Sequence, residues 1–584
     1  MDEGKATRIR LTREGDDRGP SLAERIGDRL SELRFGSPIH RMRLKGRFPL
    51  KLLGVPEDPV PGDADRGQRL KAGRLFAHGH GVPLATGPLD DRAAPPAFRH
   101  WLHSWGWLRD VAASPPTSAV EAQRVEHLAR RWLERFPDYD PESWAPDVTG
   151  RRVLMAISHV PLLIPRHDHV HRSAVLNGIA RWTRHLDRAA KAMPPSHARL
   201  EAAVGLLGGA LLLPGNDDRQ ARGEAVLAET LEQLVAPDGG SAARSALALA
   251  EIGDLLLLAQ AFHAARGLRL SRVVTDGLER VRTGLALLAM GDGLPAAWHG
   301  GRPSRAQMIR LAPARAAEAG MAGGFVRMAA AGTVVVMDAG PPPPARAALA
   351  AHASTLAMAV SDGPHLLIAG CGGAFAHGPE GMVPRPLGDE LADGLRATAA
   401  HCALVLDDTN STRLKMGGTR RSGGVEEVIL DCRMGAEGQW VEARHDGYRG
   451  RFGFDHVRRL WLSRDGRDLR GEDSLVPAGV RRLTRGGDVP VAIRFHLAPG
   501  AVLSPTGDGR GALIRMAGAR PKDAAAWSFR AQLGEGGRLL IEPSLCITAD
   551  GEAKATQQIV LSGRAKSGAP LAIAWAFARQ TRET

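Results

Sequence analysis

Between about residues 97 and 290 the apolar positions of the chain recur with a helical period. Trp101, Trp105 and Leu108 stand at i, i+4 and i+7, and Val125, Leu128, Trp132 and Leu133 continue the stripe. Breaks follow at Trp144-Ala-Pro146, Pro194-Pro195, Pro214-Gly-Asn216 and Pro237-Asp-Gly-Gly240, each after a helix-sized run. The spacing predicts helices packed serially and antiparallel. The most apolar stretch, Ala202 to Leu213, is too short to cross a bilayer and reads as a buried helix, so no transmembrane segment is expected.

After about residue 320 the pattern changes to short β-rich runs divided by turn residues. Gly332 to Met337, Leu366 to Ile368, Ala403 to Leu406, Val425 to Leu430, Trp440 to Ala443 and Leu460 to Leu462 come first, the last of them running into Arg464-Asp-Gly466. Ala492 to Leu497, Arg538 to Ile541 and Gln557 to Leu561 follow. A helical block handing over to an all-β block near 300 to 325 predicts two domains, the second a sandwich that covers its own faces.

Composition narrows the class. The 584 residues are 43% apolar and 24% charged, ordinary values for a soluble globular chain. Lys+Arg 77 against Asp+Glu 64 gives a net charge of +13, which favours anionic partners: nucleic acid, acidic glycan or an anionic membrane surface. The excess is dispersed, and no zinc-finger spacing, helix-turn-helix signature or aromatic-basic RNP pattern accompanies it, so no specific nucleic-acid role is expected. Four widely spaced cysteines, Cys371, Cys402, Cys432 and Cys546, form no Cys-x-x-Cys and fit a reducing compartment. The first residues lack the apolar core of a signal peptide; the expected location is cytoplasmic, with periplasm or cell envelope as the alternative.

One cluster is specific. Ala351-His352-Ala353-Ser354-Thr355-Leu356, Ser361-Asp362-Gly363-Pro-His-Leu-Leu-Ile368, Ala399-Ala400-His401-Cys402, His445-Asp446-Gly447-Tyr448 and Gly471-Glu472-Asp473 together resemble the heparinase II/III family of polysaccharide lyases. In the helical half, Trp105-Gly-Trp-Leu-Arg-Asp110 and Pro237-Asp-Gly-Gly240 followed by Arg244-Ser245 occur in that family's order. The charged residues 1–20 predict a disordered N-terminus, and the resemblance implies an α+β multidomain chain with an incomplete (α/α) toroid over 21–315 and an antiparallel β-sandwich over 316–584. It also implies an acidic-glycan site between the domains.

The implied reaction is β-elimination at a uronic acid, a carbon–oxygen lyase activity. It needs positive charge or hydrogen-bond donors at the carboxylate, a base near the C5 proton, and a Tyr or His to protonate the leaving oxygen. The resemblance places His352 and His401 on the sandwich side of the cleft and leaves Tyr448 as the proton donor. Arg244, Arg109 and Trp105 are the candidate substrate-binding residues, on guanidinium–carboxylate and ring–sugar chemistry. The catalytic pattern is incomplete. Ala350 stands where active members carry a first His, Ser354 where they carry an Asp, and Ala248 or a neighbour where they carry the catalytic Tyr. The zinc-binding pattern of the family falls on His352, Ala369 and His401, two imidazoles without the carboxylate, so no metal or cofactor is expected.

Each residue also has a structural alternative. His352 and His401 could be core histidines, Tyr448 a hydroxyl packed at a strand end, and Glu472 and Asp473 part of an ion-pair network with Arg458, Arg459 and Arg470. Glu251 and Asp254, at i, i+3, form a carboxylate pair of glycosidase type, a spacing also common on helix faces. Two functions follow: eliminative cleavage of a uronic-acid-containing glycan, or a catalytically degenerate member that binds anionic glycan or envelope precursor without cleaving it.

Overall fold

A computed structural model of the chain describes residues 7–10, 22–46, 51–164, 168–215, 217–311, 318–378, 381–385, 387–414, 420–478, 488–516 and 525–580. Five helices lead in: α1 (Leu22–Gly36), α2 (Pro38–Leu44), α3 (Ala64–Lys71), α4 (Pro96–His103) and α5 (Trp107–Ala113). A two-layer array follows. Its outer helices are α6 (Ala119–Arg135), α9 (His169–Ala189), α11 (Asp217–Leu234) and α13 (Arg272–Leu288). Its inner helices are α7 (Pro146–Ser158), α10 (His197–Leu212) and α12 (Ala246–Ala265), with a short α8 (Val160–Leu163) after α7 and α14 (Arg305–Leu311) closing the block.

The breaks in the hydrophobic pattern become helix starts. Pro146 occupies the first turn of α7, where its missing N–H costs nothing. Ser196 and Ser245 cap α10 and α12, their hydroxyls accepting from Arg199 N and Ala248 N. From Arg199 to Leu212 every residue of α10 is buried, as its apolar run requires. By length and composition α12 could cross a membrane, but 83% of its apolar window is buried within the helical array.

Inner helices α7 and α10 meet at glycine. A Cβ built on Gly205 would lie 2.4 Å from the Gly150 Cα, and one on Gly150 would lie 2.4 Å from the Glu201 carbonyl oxygen. No side chain fits between them, so the two backbones approach at contact distance. Their N-terminal turns are thereby held side by side.

The strands of the second block begin at Gly320, with residues 312–317, which include the expected boundary, outside the described residues. A five-stranded antiparallel meander runs Gly320–Ala322, Phe325–Ala330, Thr333–Asp338, Met358–Asp362 and His365–Ile368. Behind it a nine-stranded antiparallel sheet is built around Gly438–His445, Phe454–Ser463, Asp468–Pro477 and Leu571–Arg579. A four-stranded sheet adds Leu404–Leu406, Val489–His496, Ala553–Ala565 and Arg538–Ile547. Alternate residues of these strands point into one apolar core containing Val335, Leu460, Phe495, Trp527 and Phe577.

Two expectations change. Within the N-terminal segment expected to be disordered, Thr7–Arg10 pairs with Glu427–Leu430 at the edge of the large sheet, and Arg10 Nε reaches Glu427 at 2.7 Å. The remainder of 1–20 lies outside the described residues. The Trp101–Trp105–Leu108 stripe is two helices rather than one, because Trp105 takes a left-handed φ of 59° ahead of Gly106 and turns the chain between α4 and α5.

Candidate functional site

The N-terminal turns of α7, α10 and α12 lie on the side of the helical block that meets the sandwich. Arg244, just before α12, makes that junction. Its Nε donates to Gly323 O at 3.0 Å, its Nη1 to Gly340 O at 3.1 Å and Pro341 O at 2.7 Å, and its Nη2 to Gly324 O at 3.2 Å and to Asp338. Expected to hold a substrate carboxylate, this guanidinium instead binds the first strands of the sandwich. Its backbone sits at φ 51°, a conformation uncommon for any residue but glycine. Burial alone would raise the pKa of Asp338; the charge of Arg244 and hydrogen bonds from His299 and Ser354 outweigh it and hold the carboxyl ionised, well below the usual range.

His352 and His401 do come together, their rings stacked with centroids 4.9 Å apart. They are each 1% exposed. The Gly300 N–H donates to His352 Nε2 at 3.1 Å, which requires an unprotonated nitrogen there. Burial lowers His352 well below the ordinary histidine value and His401 to about 3. Ala369 places a methyl where the zinc pattern of the family would put a carboxylate. Tyr448 is wholly buried; its hydroxyl donates to Leu404 O at 2.8 Å, and burial raises its pKa. In this conformation none of the three expected proton carriers reaches solvent.

The other candidates are also engaged. Trp105 is packed edge-on against Trp132 and Trp182 with no exposed face. Arg109 forks onto Asp58 at 2.8 and 3.2 Å, and His159, at the C-terminal end of α7, contacts the same carboxylate, far from the junction. Asp473 is fully buried between Arg458, His456 and the Trp575 indole, and Glu472 pairs with Arg459, so this stretch is an ion-pair network. Asp254 receives Gln307 and the fork of Arg310, which separates it from Glu251 in role.

Periodicity and motif do not bring His100 and Asp147 together with Glu201. His100 on α4, Asp147 in the first turn of α7 and Glu201 on α10 each bring one ligand-type atom within 4.8 Å of the others. Arg151 pairs with Glu201, and His197 Nε2 lies 3.5 Å from Glu201 and 3.8 Å from Glu251. Burial works against charge on His100, but its hydrogen bond with Asp147 and the field of Glu201 raise its pKa; His197 is raised in the same way, chiefly by Glu201. Glu201, which burial would push up, is lowered to about 2 by Arg151 and His197. Elsewhere, an open groove of about 880 Å³ between α6 and the loops around Ala72 and Leu84 is lined by Arg124, His127, Arg130 and Arg131.

A helical array of inner and outer layers, joined at the N-terminal end of its inner helices to stacked antiparallel sheets, defines a protein of the polysaccharide-lyase toroid-and-sandwich class. The heparinase II/III-like C-terminal family profile matches residues 312–576. FtsZ-localized protein C of Caulobacter vibrioides is 30% identical over 494 residues, 82% of this chain and 84% of that one. Among solved structures, a heparinase III aligns with a TM-score of 0.66 at 12% identity, covering 98% of this chain and 92% of that one. The heparan sulfate lyase HepC of Pedobacter heparinus aligns with a TM-score of 0.63 at 13% identity, covering 99% and 92%. The chain belongs to the heparinase II/III-like family.

Proposed function

We propose that this chain is a heparinase-fold protein that binds an acidic polysaccharide or oligosaccharide without cleaving it. One observation carries the reading: His352, His401 and Tyr448 are sealed in the core, each at most 1% exposed, while the positions that the resemblance assigns to the family's other catalytic residues hold Ala350 and Ala248 or a neighbour. Elimination requires a base within hydrogen-bond reach of the substrate's C5 proton, and a sealed imidazole held neutral by burial does not meet that requirement. What the surface retains is charge: in the groove Arg130 is paired with Glu126 and Asp168, while Arg124 and Arg131 suit a chain bearing carboxylate or sulfate. Likeness to FtsZ-localized protein C supports a place of action alongside FtsZ.

A second reading, retained elimination, is favoured by the His100–His197–Glu201 group, which carries proton-transfer chemistry at the sandwich-facing end of the toroid. One experiment separates the two. The purified chain is incubated with a panel of uronic-acid polysaccharides while ultraviolet absorbance of the unsaturated product and affinity are followed. Expected are a flat absorbance trace and saturable binding to one glycan, weakened severalfold by Arg124→Ala with Arg131→Ala. A rising trace establishes elimination, and equal affinity for DNA with steep salt dependence reduces the activity to general polyanion binding.

A further inference from the structure

We propose that His100, Asp147 and Glu201, with His197 closing the fourth side, form a binding site for a zinc-class divalent cation at the sandwich-facing end of the helical toroid. Three separate helices supply the ligands, so the site is a product of the fold and not of one charged run. The convergence has a cause: the glycine contact of Gly150 with Gly205 sets the spacing of α7 and α10, and so brings Asp147 against Glu201. One ligand-type atom from each of the three lies within 4.8 Å of the other two, and His100 Nε2 is 3.7 Å from Asp147. Ligands of a tetrahedral zinc at about 2.1 Å stand roughly 3.4 Å apart, so side-chain rotation of about 1 Å closes the set.

A second observation points to a ligand. His197, 36% exposed as a side chain, turns an enclosed Nε2 toward the group, 3.5 Å from Glu201 and 3.8 Å from Glu251, facing both carboxylates without closing on either. The cation would sit among the carboxylates of Asp147, Glu201 and Glu251, with both imidazoles deprotonated on ligation. Arg151 and His197 both lie against Oε1 of Glu201. Imidazole donors select zinc and its neighbours over magnesium and calcium, which take oxygen ligands. This group lies on the toroid, apart from the His352, Ala369 and His401 positions of the sandwich, and it does not depend on the glycan reading.

The test uses the full chain, stripped by chelator and titrated with zinc by calorimetry, with magnesium and calcium in parallel. Expected are one zinc per chain, at least tenfold weaker binding in His100→Ala and in Asp147→Asn with unchanged far-ultraviolet circular dichroism, and no comparable affinity for magnesium. Cobalt in place of zinc should show tetrahedral visible bands that both variants lose. Absence of stoichiometric zinc, or His100→Ala binding as tightly as the parent, overturns the site. So does loss of zinc on His352→Ala with His100→Ala unaffected. Glycan affinity, read through Arg124→Ala, fails or holds separately.

Discussion

At the scale of single residues, the side chains expected to carry chemistry are engaged in the packing of the fold. Arg244 is the clearest case. It is 7% exposed, its five donors are spent on Gly323, Gly324, Gly340, Pro341 and Asp338, and it lies over the Phe325 ring at 4.6 Å. Removing one partner of a buried pair leaves the other charge uncompensated, at about 3–5 kcal/mol. Arg244→Met is therefore expected to destabilise the chain by that order, with the loss visible in urea or thermal unfolding. Asp338→Asn together with Arg244→Met should recover part of it, since the stranded charge is gone. A variant within 1 kcal/mol of the parent, by the scale of a surface pair, would show that the junction does not depend on this residue.

At the scale of elements, the glycine seam between α7 and α10 positions everything on the toroid's inner end. A methyl at Gly205 would fall 2.4 Å from Gly150 Cα and 2.5 Å from its carbonyl oxygen, backbone atoms that cannot rotate away. Gly205→Ala must push the helices apart, and such overpacking costs about 1–3 kcal/mol. The same displacement separates Asp147 from Glu201, so zinc affinity is expected to fall at least as far as in Asp147→Asn. A variant with unchanged melting and unchanged zinc binding would show that the seam is not what sets this spacing. The seam was not legible beforehand: Gly150 and Gly205 read only as small residues in helical runs, because helix contact is a relation between segments that period alone does not express.

At the scale of the whole molecule, the two-block order and the strand runs were legible because period 3.6 and period 2 are local properties of the chain. So was the family, through His352, His401 and the Asp473 stretch. Burial of the site was not legible, since a histidine in a strand reads the same whether it opens onto a cleft or, like His352, accepts from Gly300 inside a core. That burial has a measurable consequence across the molecule. Desolvation lowers His185 and His401 to about 3 and His40, His103 and His496 to about 4, and lowers His352 and His445 well below the ordinary value. Unfolded, each would take a proton near pH 6.5, so below that pH the unfolded chain binds more protons than the folded one and stability falls. His171, His299 and His456 are lowered as well, and His100 and His197, raised, act in the opposite sense as two against ten among the described residues. The stabilisation from the neutral histidines is complete above about pH 6.5 and is lost as pH falls toward 4, each contributing up to about 1.4 kcal/mol per pH unit. The melting temperature is expected to hold between pH 8 and pH 7 and to drop steeply by pH 5, with a shallower drop in His401→Leu, where one of the titrating groups is gone. A melting temperature at pH 5 equal to that at pH 7 would mean that these imidazoles are solvated, and would reopen His352 and His401 as proton carriers.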